Sequence, residues 1–322
     1  MTARATDLAR RLQAGCDRIV VGNESATYAF LIALLGNGHI LLEGVPGTAK
    51  TLVVRTFAAL LGVPFRRIQF TPDLMPADVV GTTVFNPQTL EFTLRRGPIF
   101  TNVLLADEIN RTPPKTQSAL LEAMEERQVT IDGESHPLGG LFIVCATQNP
   151  VDFEGTYPLP EAQLDRFFVR GRTGYPSEGD ERALLARGAA GFDARDLRAA
   201  GVEPVAAVDD VLAAHADVRA VFVAEALQAY VYAIVARTRA ASDVALGASP
   251  RATLALLGAA QAAAAIDGRS FATPDDVKGV APLVLAHRLI VRAEAEVEGV
   301  TAERVVERIL ATVDVPKVEA PV

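Results

Sequence analysis

Residues 40–51, ILLEGVPGTAKT, decide the fold. The apolar run Ile40-Leu41-Leu42 is short enough to be a buried strand, glycines follow at 44 and 47, and a helical pattern runs over 50–61. Strand, glycine-bearing turn and helix together form the context that a phosphate-binding loop requires. The glycines permit tight backbone turns whose N–H groups face phosphate oxygens, Lys50 neutralises phosphate charge, and Thr51 offers a hydroxyl to Mg2+. Ala49 departs from the pattern, which has a last glycine there. Its methyl group costs little at negative φ and is strained at positive φ. A turn that happens to hold a lysine is the competing explanation, and the rest of the chain has to decide between the two.

Downstream, 66–70 (RRIQF) is a strand, 82–96 alternates about Asn86-Pro87 as a hairpin does, and 101–106 (TNVLLA) is a continuous apolar strand. Thr112-Pro113 starts a helix through 126, 127–140 reads as a second hairpin, and strands follow at 141–145 and 167–169. Strands interleaved with helices predict a three-layer α/β unit with a mostly parallel sheet. The strand at 101–106 runs into Asp107-Glu108, which brings an aspartate to Mg2+ and a glutamate to a water. Alone, such a pair is most simply a surface charge; with a phosphate loop in the same chain, the two motifs explain each other. Thr147-Gln148-Asn149-Pro150 closes the next strand, placing Asn149 to orient the attacking water, against the plainer reading of an Asn-Pro turn.

Residues 7–19 and 25–36 are helical ahead of this unit. After Gly171 the composition shifts, and alanine, leucine, valine and arginine dominate with helical spacing. Ser177 with Asp180, and Thr273-Pro274 with Asp276, are helix-start signals. The expected organisation is a nucleotide-binding core over 1–174, a smaller all-α unit over 175–312 and a flexible tail over 313–322. With 31 basic against 39 acidic residues the net charge is −8, which argues against a constitutive duplex-DNA binder without excluding a local basic groove. Two cysteines, Cys16 and Cys145, lack any CxxC spacing, and the first residues, MTARATDLARRLQAG, have no apolar run behind them. No stretch reaches the length of a membrane span, so a cytoplasmic protein is expected.

These motifs resemble the AAA+ ATPases and, among them, the MoxR family. The resemblance is carried by GVPGTAKT (44–51), QFTPDLMPADVVG (69–81), GPIFTNVLLADEINRTPPKTQSALLEAMEERQVTIDG (97–133), ATQNP (146–150), GTYPLPEAQLDRF (155–167) and GASPRA (247–252), and it spans about 7–295. It implies a P-loop NTPase core of AAA+ type with hairpin insertions, followed by a helical lid. Val45, Pro46, Gly47, Thr48, Ala49, Lys50, Thr51 and Leu52 are then the loop that holds ATP, Thr51 and Asp107 the metal ligands, Glu108 the residue at the water and Asn149 sensor one. Val20-Val21-Gly22 matches the segment lining the adenine. Arg166 in LDRF matches the arginine finger given to a neighbouring subunit; it is otherwise a surface partner of Asp165 or Glu161. Arg251 in SPRA matches the sensor-two arginine of the lid, expected to close on its own chain's nucleotide; it otherwise sits at a helix start, against the dipole. The family implies ATP and Mg2+ as cofactors and a ring, six-membered in the family. It also implies a von Willebrand factor A domain partner and a protein client that is remodelled. The hairpins 82–96 and 127–140 correspond to insertions near the ring pore, where Arg95-Arg96 face a client or simply solvent. A helicase-type nucleic-acid motor, a chelatase-type motor subunit and a nucleotide-dependent scaffold are the alternatives. Acidity counts against the first, and Glu108, which a mere binder does not need, counts against the last.

Overall fold

The computed structural model describes residues 2–149 and 155–317. Helices α1 (Ala3–Asp17) and α2 (Glu24–Leu35) precede β1 (Ile40–Gly44), which leads through the glycine-bearing loop into α3 (Lys50–Leu60). Then come β2 (Phe65–Gln69), the short α4 (Pro76–Val80), the hairpin β3 (Gly81–Asn86) and β4 (Glu91–Arg96), and β5 (Val103–Asp107). After α5 (Pro114–Glu126), the hairpin β6 (Gln128–Ile131) and β7 (Glu134–Pro137) leads to β8 (Ile143–Gln148), α6 (Glu161–Leu164) and β9 (Val169–Thr173). Among the described residues, five strands form one parallel sheet in the order β2-β5-β8-β1-β9. Parallel strands put all their carboxyl ends on one edge. With β1, β8 and β5 adjacent, the phosphate loop, Gln148-Asn149 and Asp107-Glu108 therefore converge there, where ligands of open α/β sheets bind.

The central strands β5 and β8 are apolar over most of their length because helices or loops cover both faces of the sheet there, whereas the outer strands β2 and β9 carry Arg66, Arg67, Arg170 and Arg172. Successive residues alternate between two cores: Ile40, Leu42, Val103, Leu105, Ile143 and Cys145 enter one, and Leu41, Leu104, Ala106, Val144 and Ala146 the other. Gly44 is fixed by space, since a Cβ there would stand 2.1 Å from the Thr173 hydroxyl on β9. The strand expected at 141–145 begins two residues later and extends to Gln148; Leu141 and Phe142 are a buried lead-in. Phe167 and Phe168 likewise precede β9, with the Phe168 N–H donating to the His39 carbonyl at 2.8 Å.

The second half contains α7 (Glu178–Ala189), α8 (Val208–Arg219), α9 (Glu225–Ala240), β10 (Val244–Leu246), α10 (Pro250–Ile266), α11 (Pro274–Leu285), β11 (Ile290–Val291), α12 (Ala293–Val297) and α13 (Ala302–Thr312). Among the described residues its regular structure is helical apart from the antiparallel β10–β11 pair, too short to show any alternation in sequence, and an isolated parallel bridge between Phe222 and Phe271. Both helix-start signals act as such: the hydroxyls of Ser177 and Thr273 accept from the N–H groups of Asp180 at 3.2 Å and Asp276 at 3.4 Å. The apolar core does not stop where the composition changes. α1 packs against α8 and α10, the Thr6 hydroxyl donates to the Ala265 carbonyl at 2.7 Å, and Arg4 pairs with Asp217 at 2.5 Å. One continuous core joins α1–α3 to the helices of the second half. Pro150 and the end of the expected flexible tail, 318–322, lie outside the described residues.

Candidate active site

The loop between β1 and α3 forms the floor of a cleft of about 480 Å3, in the range of small-molecule sites. Pro46 through Leu52 line it, with Asp107, Glu108, Thr147, Gln148 and Asn149 facing them and Arg55, Arg67, Ala194 and Arg195 completing the wall. Backbone conformation decides two of the loop residues. Gly47 has φ +83°, and a Cβ there would meet nothing, so its glycine serves conformation alone. Ala49 has φ +60° and caps α3 in the left-handed region. The methyl group therefore sits in the strained alternative, a conformation that costs an L-residue roughly 1–2 kcal/mol. The Lys50 ammonium reaches back across the loop to the carbonyls of Gly44 at 2.6 Å and Val45 at 2.9 Å. Burial pushes its pKa down, and the carboxylates of Asp107 and Glu108 oppose that shift.

The two acids are held by neighbouring strands. Thr147 on β8 donates to Asp107 Oδ1 at 2.5 Å and accepts from the Glu108 N–H at 2.9 Å. From β2, the Arg67 guanidinium reaches Asp107 Oδ2 at 2.6 Å and the Gln69 amide reaches Glu108 Oε2 at 2.6 Å. Arg111 pairs with Glu108 at 3.0 Å. Glu108 itself sits at φ +57°, a conformation that costs of order 1–3 kcal/mol and persists only where the surroundings enforce it. Arg67 carries no motif of its own, and Gln69 stood out only as the first residue of the 69–81 stretch; that their strand lies beside β5 is visible only in the fold. Arg55 and Arg195 were likewise invisible: α3 projects Arg55 to the carbonyls of Ala194 and Arg195, at 3.3 and 2.9 Å, and so ties the loop between α7 and α8 to the cleft.

Thr51 and Asp107 present hydroxyl and carboxylate oxygens, the donor chemistry that suits Mg2+ shared with phosphate oxygens and water. No cluster of three or more His, Cys, Asp or Glu side chains able to hold a metal occurs among the described residues.

Two sets of residues expected at the nucleotide lie away from this cleft. Val20, Val21 and Gly22 do not line it; they lie under α7, where Arg187 donates to the Ile19 carbonyl at 3.0 Å and a Cβ on Gly22 would stand 2.9 Å from the Asp180 carboxylate. Arg251 does not close over its own phosphate loop. Instead its guanidinium pairs with Glu125 at the end of α5, and Arg166 pairs with the same carboxylate at 3.1 Å. Neither Asp165 nor Glu161 is therefore the partner of Arg166 in this ion pair. The packing of α10 against the far end of the core puts both arginines in a second depression with Asn37, Gly38 and Arg127. On the β3–β4 hairpin, Arg95 and Arg96 are both exposed, and the Arg96 guanidinium lies over the Phe100 ring at 5.0 Å.

A model of the AAA family, ATPases associated with various cellular activities, matches residues 39–169, and one of the AAA lid domain matches 236–309. The chain is 48% identical to the uncharacterized protein YeaC of Bacillus subtilis, over 93% of this chain and 92% of that protein. It is 45% identical to the chaperone MoxR1 of Mycobacterium tuberculosis, over 94% of this chain and 81% of that one. A crystal structure of a protein from Cytophaga hutchinsonii superposes with a TM-score of 0.89 at 40% identity, covering 98% of this chain and 97% of the other.

Proposed function

The chain belongs to the MoxR family of AAA+ ATPases, and on that premise we propose that it is a ring-forming motor that spends ATP on remodelling or maturing a protein client. The observation that carries this reading is the convergence of Lys50, Thr51, Asp107, Glu108 and Asn149 on one cleft at the carboxyl edge of the sheet. The backbone N–H groups of the loop and the Lys50 ammonium hold the β- and γ-phosphates, with Arg55 and Arg195 adding charge at the wall. Thr51 and Asp107 hold the Mg2+ that, when bound, neutralises charge on the transferring phosphoryl group. Thr147 fixes the Asp107 carboxylate and the Glu108 backbone at once, so both acids keep one orientation. Glu108 accepts a proton from the attacking water, and Asn149 orients that water.

Arg166 and Arg251 lie outside the cleft of their own chain, on a shared carboxylate and close to one another. That placement supports a role for both at a neighbour's nucleotide, and so a ring, with Arg251 acting in trans rather than closing its own lid. The chaperone name of a relative 45% identical supports a protein client. So does the exposed apolar tip of the β3–β4 hairpin, with Phe85, Leu90 and Phe92, better suited to a protein surface than to nucleic acid. A von Willebrand factor A domain partner, and metal insertion as a form of maturation, follow from the family resemblance. No helix among the described residues is long and apolar enough to cross a membrane. The test is a pair of substitutions read by calorimetry and phosphate release. Glu108→Gln should retain ATP affinity while turnover drops on the order of 10²-fold or more, the scale of a positioned general base. Lys50→Ala should lose ATP affinity. Tight ATP binding by Lys50→Ala, or normal turnover by Glu108→Gln, would overturn the assignment.

A further inference from the structure

Arg166 leaves the chain from an irregular segment between α6 and β9, with no sheet or helix of its own to fix it. What fixes it comes from the lid. Arg288, just after α11, has a side chain only 2% exposed. A guanidinium has five N–H donors in a rigid fork, and here five acceptors meet it. Its Nε donates to Asp165 Oδ1 at 2.7 Å, and its Nη2 to the carbonyls of Phe167 at 2.6 Å and Asp165 at 3.2 Å. Its Nη1 donates to the Phe168 carbonyl at 3.2 Å and to the Val284 carbonyl. Four of the five acceptors therefore belong to the residues that bracket Arg166. His287 adds its Nε2 to the Phe167 carbonyl at 3.1 Å.

The other oxygen of Asp165 points elsewhere in the lid. Its Oδ2 accepts from the hydroxyl of Ser249 at 2.8 Å, and Ser249 is the N-cap of α10, two residues before Arg251. Asp165 is thus the joint at which the segment carrying Arg166 and the helix carrying Arg251 are fastened together. An ion pair with its arginine this deeply buried contributes little to stability alone, since a well-packed apolar pair of the same volume is commonly as stable. What the apolar pair lacks is direction. The fork defines the path of residues 165–168 atom by atom.

We propose that Arg288, acting through Asp165, is a positioning residue for hydrolysis in the neighbouring subunit, locking lid to core so that Arg166 and Arg251 are presented as one rigid unit. This rests on the cross-subunit role given above to Arg166. A coupling follows from it: any movement of the lid is passed to the arginines that serve the next site.

The experiment uses the full chain with two substitutions. Arg288→Lys keeps the charge opposite Asp165 but has three donors on one atom and cannot span acceptors distributed over 165–168. Ser249→Ala keeps the ion pair and removes the tie from Asp165 to α10, together with the capping bond that the Ser249 hydroxyl accepts from the Ala252 N–H at 3.2 Å. Binding of a non-hydrolysable ATP analogue, maximal turnover and turnover in mixtures with Glu108→Gln are measured, with Arg166→Ala as the reference. The expected results for Arg288→Lys are unchanged analogue affinity, maximal turnover lower by roughly 10- to 100-fold, as for a catalytic group displaced by about 1 Å, and recovery on mixing. Recovery arises because the Glu108→Gln chain donates an intact Arg166 to the intact Glu108 of its neighbour. Ser249→Ala should show a smaller loss of the same kind. Normal turnover in Arg288→Lys, or a loss that mixing does not recover although the Arg166→Ala loss is recovered, overturns the positioning role. If Arg288→Lys fails to fold, Ser249→Ala decides: a recoverable loss supports the role and full turnover overturns it. If the Arg166→Ala reference itself shows no recovery, the cross-subunit reading fails and the positioning role falls with it.

Discussion

Replacing Ala49 by glycine should stabilise the protein, although it removes a methyl group. Ala49 caps α3 at φ +60°, where the β-carbon crowds the following carbonyl, at a cost of roughly 1–2 kcal/mol for an L-residue. Glycine relieves that strain but adds freedom to the unfolded chain, worth about 0.5–1 kcal/mol in the opposite direction. The balance is a gain of about 0.5–1 kcal/mol. Over 322 residues, at roughly 2 cal/mol/K of unfolding entropy per residue, that moves the melting temperature by only about 1 °C. Equilibrium urea unfolding is therefore the better assay, with the midpoint expected to rise at constant slope. Ala49→Val is the counterpart, since a β-branched residue in the left-handed region is a true outlier and should lower the midpoint. A lower midpoint for Ala49→Gly, or no change for Ala49→Val, would refute the claim that the loop carries strain at this residue.

Burial, reinforced by the Arg127 charge, holds His39 neutral down to about pH 4, against about 6.5 in an unfolded chain. As pH falls from 6.5 to 4 the unfolded chain takes up a proton that the folded chain refuses, so folding should lose up to about 3 kcal/mol from this group. An NMR titration of the folded protein that placed the His39 midpoint near 6.5 would contradict this. Arg67 competes with a cation for Asp107, and because the Arg67 side chain is half exposed the strength of the pair is at most about 1 kcal/mol. Arg67→Ala should therefore reduce the Mg2+ concentration for half-maximal turnover by up to about 5-fold; an increase would mean that Arg67 serves the phosphates instead. Arg195 lines the cleft from the loop between α7 and α8, so Arg195→Ala should weaken binding of an ATP analogue several-fold, by loss of about one charged contact. Unchanged affinity, read by calorimetry, would remove Arg195 from the site.

The phosphate loop, Asp107-Glu108 and Asn149 were legible in the sequence because each follows an apolar strand, and a parallel sheet delivers every strand end to the same edge. The two capping signals at Ser177 and Thr273 were legible for the same kind of reason, since a cap is a local bond between residues three apart. What escaped depended on contacts across long separations. Arg67 meets Asp107 from 40 residues away, and Arg251 meets Glu125 from 126 away. No periodicity encodes either pairing. The side on which Arg251 lies is set by how α10 packs on the core, and the SPRA motif carries a helix start but no direction. Arg288 sits in an unremarkable AHRLI stretch, and only its burial exposes its five-acceptor site.

The central claim is that a complete active site needs two chains, because Arg166 and Arg251 lie away from the phosphate loop of their own. Its most direct test is the ATP turnover per chain of the unmodified protein across a wide range of concentrations, with association followed in parallel by sedimentation. Turnover per chain should climb with the fraction of associated protein and fall by ~10³-fold or more in the monomer, the scale of an arginine supplied in trans. Turnover that stays level down to concentrations at which sedimentation finds only monomers would contradict the account.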